Sequence, residues 1–279
     1  MRPFSARPVR SPRLLAGLVC TLSTAVLPTA SATNAADAAD VPPVRYVALG
    51  DSIASGVGAG DYDAASGNCL RSRHSYPQLW TDSHQVAAFT SAACSHATTQ
   101  DVIDKQLGKL SRDTTLVSIT AGANDVSFGE TMATCTAGTD KACLDKIHAA
   151  EAAIRDRLPK ALSATYRAIG AKAPKARVTV LGYPRLFTTG GACLFGLSTT
   201  KREAIDEAAD QLNAVTERAA RQRGFAFGNA ARAFTGHEIC AKDAWIHSVR
   251  LLALEESYHP TEQGYESGYL PTLSAVTGP

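Results

Sequence analysis

Five short apolar runs punctuate the chain, and longer stretches with a hydrophobic residue every three or four positions separate them. The runs are Val44–Leu49, Val86–Thr90, Thr115–Thr120, Arg177–Leu181 and Phe225–Gly228. Runs of this length read as buried strands. Between them, Ser75–Ser83 predicts a short helix. Thr98–Leu110 predicts another, with Val102, Ile103, Leu107 and Leu110 on one side. Leu144–Ile169 carries Ile147, Ile154, Leu158, Leu162 and Ile169 at helical spacing. Pro159 should kink or split that helix, and Gly170 should stop it as a C′ residue. The clearest stripe is Ile205, Ala208, Leu212, Val215 and Ala219 within Lys201–Arg223, ended by Gly224.

Strands alternating with helices predict an α/β domain, a three-layer α/β/α sandwich with a central parallel sheet. In such sheets, sites lie beyond the carboxyl ends of the strands. Ser52, the Gly122–Asn124 segment and the Tyr183-Pro184 turn each follow a predicted strand, so one rim should collect them.

The pattern leaves out the first residues. Arg2, Arg7, Arg10 and Arg13 precede an apolar stretch, Leu14–Leu27, and then Ala30-Ser31-Ala32. The stretch is too short and interrupted for a membrane span, and the three parts together read as a secretory signal peptide over residues 1–32. Residues 33–42 read as a flexible leader and 43–279 as a single domain. Cys20 could mark a lipoprotein site, but Val19 stands where a small residue is wanted.

Removing the signal changes the charge. The chain is formally +2, and residues 1–32 hold four arginines and no acids, so the remainder is near −2 (2 − 4). Basicity therefore belongs to the export segment, and no nucleic-acid partner is expected. Six cysteines remain, Cys69, Cys94, Cys135, Cys143, Cys193 and Cys240. An even count in an exported chain predicts three disulfides. Sequential pairing, one tie per loop region, is favoured among the possible connectivities. No C-x-x-C pair and no His at ligand spacing argues for a metal.

Three segments carry candidate chemistry. Ser52 follows the first strand, where a hydroxyl can be held rigidly beside backbone N–H groups; a serine there also fits a helix N-cap. Gly122-Ala123-Asn124-Asp125 follows the third strand. It can be a plain turn, or Asn124 can donate its amide to an oxygen gaining charge. His259 is followed by Pro260, expected as the first residue of a terminal helix. Its imidazole suits a base that takes a proton and returns it. Asp51 is expected to secure its loop, and Asp61 and Asp63 lack a full calcium loop. His74, His84, His148, His237 and His247 are expected on the surface or in packing, and Trp80 and Trp245 in core or rim.

Together, Gly50-Asp51-Ser52 with Ser55-Gly56-Val57-Gly58-Ala59-Gly60, Gly122-Ala123-Asn124-Asp125 and Tyr258-His259-Pro260 resemble the blocks of the GDSL, or SGNH, hydrolases. The resemblance spans roughly residues 44–270 and is closest to secreted actinobacterial esterases and lipases. It implies a flavodoxin-like fold, Ser52 as nucleophile and His259 as its base. It also implies the pairs 69–94, 135–143 and 193–240. The oxyanion donors would be the Ser52 backbone, the Asn124 side chain and a backbone N–H that falls on His96, where the family has glycine. Many members orient the histidine with an aspartate three residues earlier, here Glu256. Some actinobacterial relatives use a main-chain carbonyl, here that of Ser257, which we favour.

The expected activity is hydrolysis of carboxylic esters, most readily lipid acyl esters, by a secreted serine esterase or lipase without metal or organic cofactor. A carbohydrate or plant-polymer esterase on the same site, or a non-catalytic binding protein of the same fold, are the alternatives. Expected partners are a small-molecule or lipid ester, with transient lipid-surface contact and no nucleic acid; a monomer is expected. Gly129–Lys141 and Thr188–Thr200 are expected as loops over the acyl pocket.

Overall fold

The apolar runs become five parallel strands: β1 (Val44–Gly50), β2 (Val86–Ser91), β3 (Leu116–Thr120), β4 (Arg177–Leu181) and β5 (Ala226–Gly228). Their order is β2-β1-β3-β4-β5. The computed structural model describes residues 43–190, 193 and 196–278. The expected signal peptide and leader lie outside the described residues.

Position in the sheet explains which runs are continuously apolar. Central β3 is buried along its whole length, whereas the edge strand β2 exposes several side chains. Register pairs Tyr46 with Leu116 and Gly50 with Thr120. The order reverses between β1 and β3, and ligands in open parallel sheets bind outside the carboxyl ends at such a switch point. Ser52 follows β1 and Asn124 follows β3, so both stand beside it.

Helices flank the sheet. Tyr46 and Ser118 share a 2.6 Å hydrogen bond on the face where Trp80 packs edge-on to Tyr46. Trp80 then bonds Thr277 in the last helix (Leu270–Thr277). Among the described residues, no helix is long and apolar enough to cross a membrane.

Several expected elements differ in detail. Thr98–Leu110 is not one helix. It is an α turn (Thr99–Asp101), a wider π turn (Val102–Gln106) and a 3₁₀ turn (Leu107–Lys109). A Thr98/Asp101 capping box starts it, and the wide turn ends on Gln106, whose amide is committed to β1. The long helix is split into Asp140–Asp156 and Leu158–Lys172, with Pro159 in the first turn of the second, where no N–H is needed. Gly170 does not stop it: the Ala173 N–H still bonds Ile169, so the helix runs on to Lys172. Pro260 is not the first helical residue. Thr261 is the cap, its hydroxyl accepting from Gly264 N–H. Gly129–Ala137 is helical, part of Phe128–Ala137, rather than a loop. Disulfides join Cys69 to Cys94, Cys135 to Cys143 and Cys193 to Cys240.

Candidate active site

Ser52 stands just beyond the end of β1, a strand paired on both sides. Gly50 has φ +126°, and a Cβ there would collide with the Thr120 backbone. The missing side chain lets β1 and β3 stay in register to their last residues. The buried Gln106 amide clamps the same glycine twice, accepting from Gly50 N–H and donating to Gly50 C=O, both at 2.8 Å. Asp51, not Ser52, is the cap of the short Ser52–Ser55 helix: one carboxylate oxygen accepts from Ile53 N–H at 2.9 Å. The other accepts from the Tyr183 hydroxyl at 2.6 Å. Burial raises the Asp51 pKa to about 7 against these hydrogen bonds. With capping assigned to Asp51, the Ser52 hydroxyl is free for other use.

That hydroxyl meets His259. Ser52 Oγ and His259 Nε2 are 2.8 Å apart across 207 residues of sequence. On the far side of the ring, Nδ1 lies 3.0 Å from the Ser257 carbonyl. A donor on Nδ1 fixes the tautomer that leaves Nε2 as the acceptor facing the serine. Glu256 does not touch the ring. Its buried carboxylate accepts from the Tyr62 hydroxyl at 2.8 Å and pairs with Arg250 at 3.1 Å. Burial lowers the His259 pKa to about 4, opposed by the Ser257 carbonyl and assisted by His96 and His247. The ring is therefore neutral at neutral pH, the form a base requires.

The loop that carries His259 is braced against the serine block. His247 N–H bonds the His259 carbonyl at 2.9 Å, and Tyr258 N–H bonds the His247 carbonyl at 3.0 Å. The His247 ring lies 2.8 Å from the Gly58 carbonyl, and Gly58 N–H donates to Tyr62. Gly58 has φ +97°, and a Cβ there would meet the Pro260 carbonyl and the His259 side chain. The sequence gives Tyr62 no role and His247 only a surface or packing one. The alternating Gly56, Gly58 and Gly60 were the one signal that this stretch is approached closely.

The third wall gathers hydrogen-bond donors. Asn124 Nδ2 donates to the Ala97 carbonyl at 3.0 Å, which holds the amide against the turn bearing His96. Asp125 ties the same two turns together, accepting from Thr99 N–H at 2.9 Å and its hydroxyl at 2.5 Å. His96 is exposed and has φ +63°, the left-handed conformation that histidine adopts more readily than most residues. Among the described residues, no protein acceptor takes the backbone N–H of Ser52 or of His96.

An apolar cavity opens from Ser52 and His259. Most of its apolar wall is helical, Met132 from Phe128–Ala137, Ile147 and Ile154 from Asp140–Asp156, and Ile205 and Leu212 from Thr199–Gln222, with Tyr183, Pro184 and Leu186 added from the turn after β4. This corrects the expectation of loop walls. A second cleft leaves the same serine in another direction, between Gly129 and Thr136 on one helix and Val249, Leu254 and Tyr258 on the histidine loop. Among the described residues, no group of three His, Cys, Asp or Glu could hold a metal ion.

Known proteins share this fold. The chain is 49% identical over 256 residues to a lipase of Streptomyces rimosus, covering 92% of this chain and 95% of that one. Its fold matches the crystal structure of an extracellular lipase from Streptomyces rimosus, with TM-score 0.82 and 51% identity over 84% of this chain and 99% of that one. It also matches phospholipase A1 from Streptomyces albidoflavus NA297, with TM-score 0.83 and 46% identity over the same shares. Residues 48–266 match the model of the GDSL-like Lipase/Acylhydrolase family, and the chain belongs to that family.

Proposed function

We propose that this protein hydrolyses carboxylic esters of lipids through an acyl-serine formed on Ser52. The observation that carries the reading is the 2.8 Å contact between Ser52 Oγ and a His259 whose other nitrogen faces a carbonyl. His259 Nε2 takes the hydroxyl proton as Oγ attacks the ester carbonyl. The oxyanion is held by the Ser52 and His96 backbone N–H groups and the Asn124 amide. Collapse breaks the bond to the alcohol, which leaves with the proton from His259. Water then repeats the sequence, losing a proton to His259, and releases the acid with Ser52 restored.

The apolar cavity supports an acyl chain rather than an acetyl group. Ile147, Ile154, Ile205 and Leu212 line it with methyl groups, and of its polar side chains Asp51 and Tyr183 are committed to each other and Ser52 to His259. The relatives named as lipase and phospholipase A1 point the same way. In this reading the chain is exported: residues 1–32 are the signal, 33–42 a leader and 43–279 one hydrolase domain. It works as a monomer in transient contact with lipid.

Labelling with a fluorophosphonate and mass mapping tests the nucleophile, and the modified peptide should contain Ser52. A p-nitrophenyl ester series tests the acyl site. Medium and long chains should be cleaved, and hydrolysis confined to acetate would defeat the lipid reading.

A further inference from the structure

Among the described residues, the exposed large hydrophobic side chains are Val249, Leu251, Leu252 and Leu254. All four fall within six consecutive positions of the histidine loop. Leu251 is 82% exposed and Leu252 fully so. A cluster of this kind marks an interaction surface, whereas scattered apolar residues would not.

The loop is braced, so the exposure is built into the fold. Arg250 N–H donates to Ser257 Oγ at 2.9 Å, its guanidinium pairs with Glu256 at 3.1 Å, and Ala253 N–H bonds the Arg250 carbonyl at 3.0 Å. These contacts close the tip and leave Leu251 and Leu252 outside it.

Two further observations identify the occupant. First, Val249 and Leu254, on either side of the tip, line the second cleft to Ser52 and His259. A cover over the tip therefore also lies at the mouth of that cleft. A second protein molecule seated there would obstruct it, whereas a lipid surface would feed it with ester. Second, Arg250 is the one cation between Ser248 and Tyr258, and it is paired with Glu256 while Glu255 is exposed. Anionic membranes are recognised by clusters of free lysine and arginine, and this loop has none.

We propose that Leu251 and Leu252 insert into the surface of aggregated zwitterionic lipid and hold the mouth of the Ser52 cleft against it. The proposal rests on the lipid-ester reading above, and it adds which part of the molecule meets the lipid.

The test uses the full chain carrying Ser52→Ala, so that the vesicles survive, with and without Leu251→Ser/Leu252→Ser. Co-flotation with phosphatidylcholine vesicles measures binding. The double change should weaken it at least tenfold, since each leucine returned to water forfeits on the order of tenfold in partition. With Ser52 intact, the double variant should cleave dissolved p-nitrophenyl butyrate within about twofold of the parent, which also reports correct folding. Equal flotation of the two proteins overturns the proposal. So does binding that appears only when phosphatidylglycerol is added. A parent that sediments as a dimer and a double variant that sediments as a monomer would make the patch a self-association surface and overturn it too. Failure of the underlying reading looks different: the parent floats and the variant does not, which supports the docking surface, yet the parent cleaves no long-chain ester.

Discussion

The serine and the histidine reach one hydrogen bond from opposite kinds of support. Ser52 is carried by a central strand whose last residues are buried, locked by the Gln106 clamp and capped by Asp51. His259 is carried by a surface loop with a single isolated bridge among the described residues, between Ile246 and Pro260, and the few backbone bonds around it. Side chains add the rest: Tyr62 reaches over to Glu256 of the loop, and His247 of the loop reaches the Gly58 carbonyl, where the two segments approach closely. A sheet fixes position through many small terms, and no single surface contact decides it. A tethered loop depends on a few contacts, each of which should be visible in the rate.

The largest effects should be common to both sides. Ser52→Ala or His259→Ala should each lower kcat on dissolved p-nitrophenyl butyrate on the order of 10⁶-fold, and the double variant should fall no further, because the pair acts as a unit. A double variant much slower than either single one would mean that the two act independently.

The same small substitution should then separate the sides. Gly58→Ala forces a methyl group against His259 and Pro260, displacing the base by a fraction of an ångström to an ångström; misplacement of that size lowers kcat about 10²-fold. Gly50→Ala drives its methyl into the backbone of β3, where nothing can yield. It should destabilise the fold by about 3 kcal/mol or more. Urea unfolding and rates on the same preparations distinguish the two. A Gly58→Ala protein that unfolds early but turns over normally would erase the contrast.

The contrast also explains what could be read in advance. All five strands were legible because buried runs need no partner to be recognised. That Ser52, Asn124 and His259 would gather at one rim was legible because each follows a strand or closes a motif. The Thr98–Leu110 helix was misread because its periodicity is helical while Gln106 answers to Gly50, a tertiary demand that local spacing does not record. The walls of the acyl cavity were sought in loops because polar, glycine-containing stretches suggest them, and the apolar lining lay in stripes already identified as helix faces. Tyr62 and His247 were invisible because they act between segments 194 and 189 residues apart, with no motif of their own.

Glu256→Gln tests what the loop contacts do. If the Ser257 carbonyl orients the ring, the change removes only the ion pair to Arg250 and leaves an acceptor for Tyr62. The loss in kcat should stay below about tenfold, against the roughly 10⁴-fold loss expected on removing a carboxylate that itself sets the tautomer. The pH profile is the second readout. In the proposed mechanism His259 acts as the neutral base, so kcat/KM should fall as pH drops through its pKa. Because burial holds that pKa below the ordinary 6.5, near 4, the acid limb should lie well below pH 6.5 and stay there in the variant. A limb at 6.5 or above would remove burial from the account of this base.

His96→Gly should have the smallest effect. A family glycine at this position suggests that the backbone N–H is what matters, and histidine keeps that group while adopting φ +63°. Left-handed geometry costs an L-residue about 1–2 kcal/mol, which glycine would relieve. Glycine also loses more freedom on folding, by roughly 0.5–1 kcal/mol. The two nearly cancel, so stability should shift by less than about 1 kcal/mol in either direction. Activity on a dissolved ester should stay within about threefold, since the donor remains and the exposed imidazole takes no step in the reaction. A tenfold or greater loss would show that the imidazole itself contributes at the cleft it lines beside Ser52 and Asn124. The turn is already tied by the Cys69–Cys94 bridge and by Asp125 to Thr99, so loosening of one residue cannot readily produce that loss.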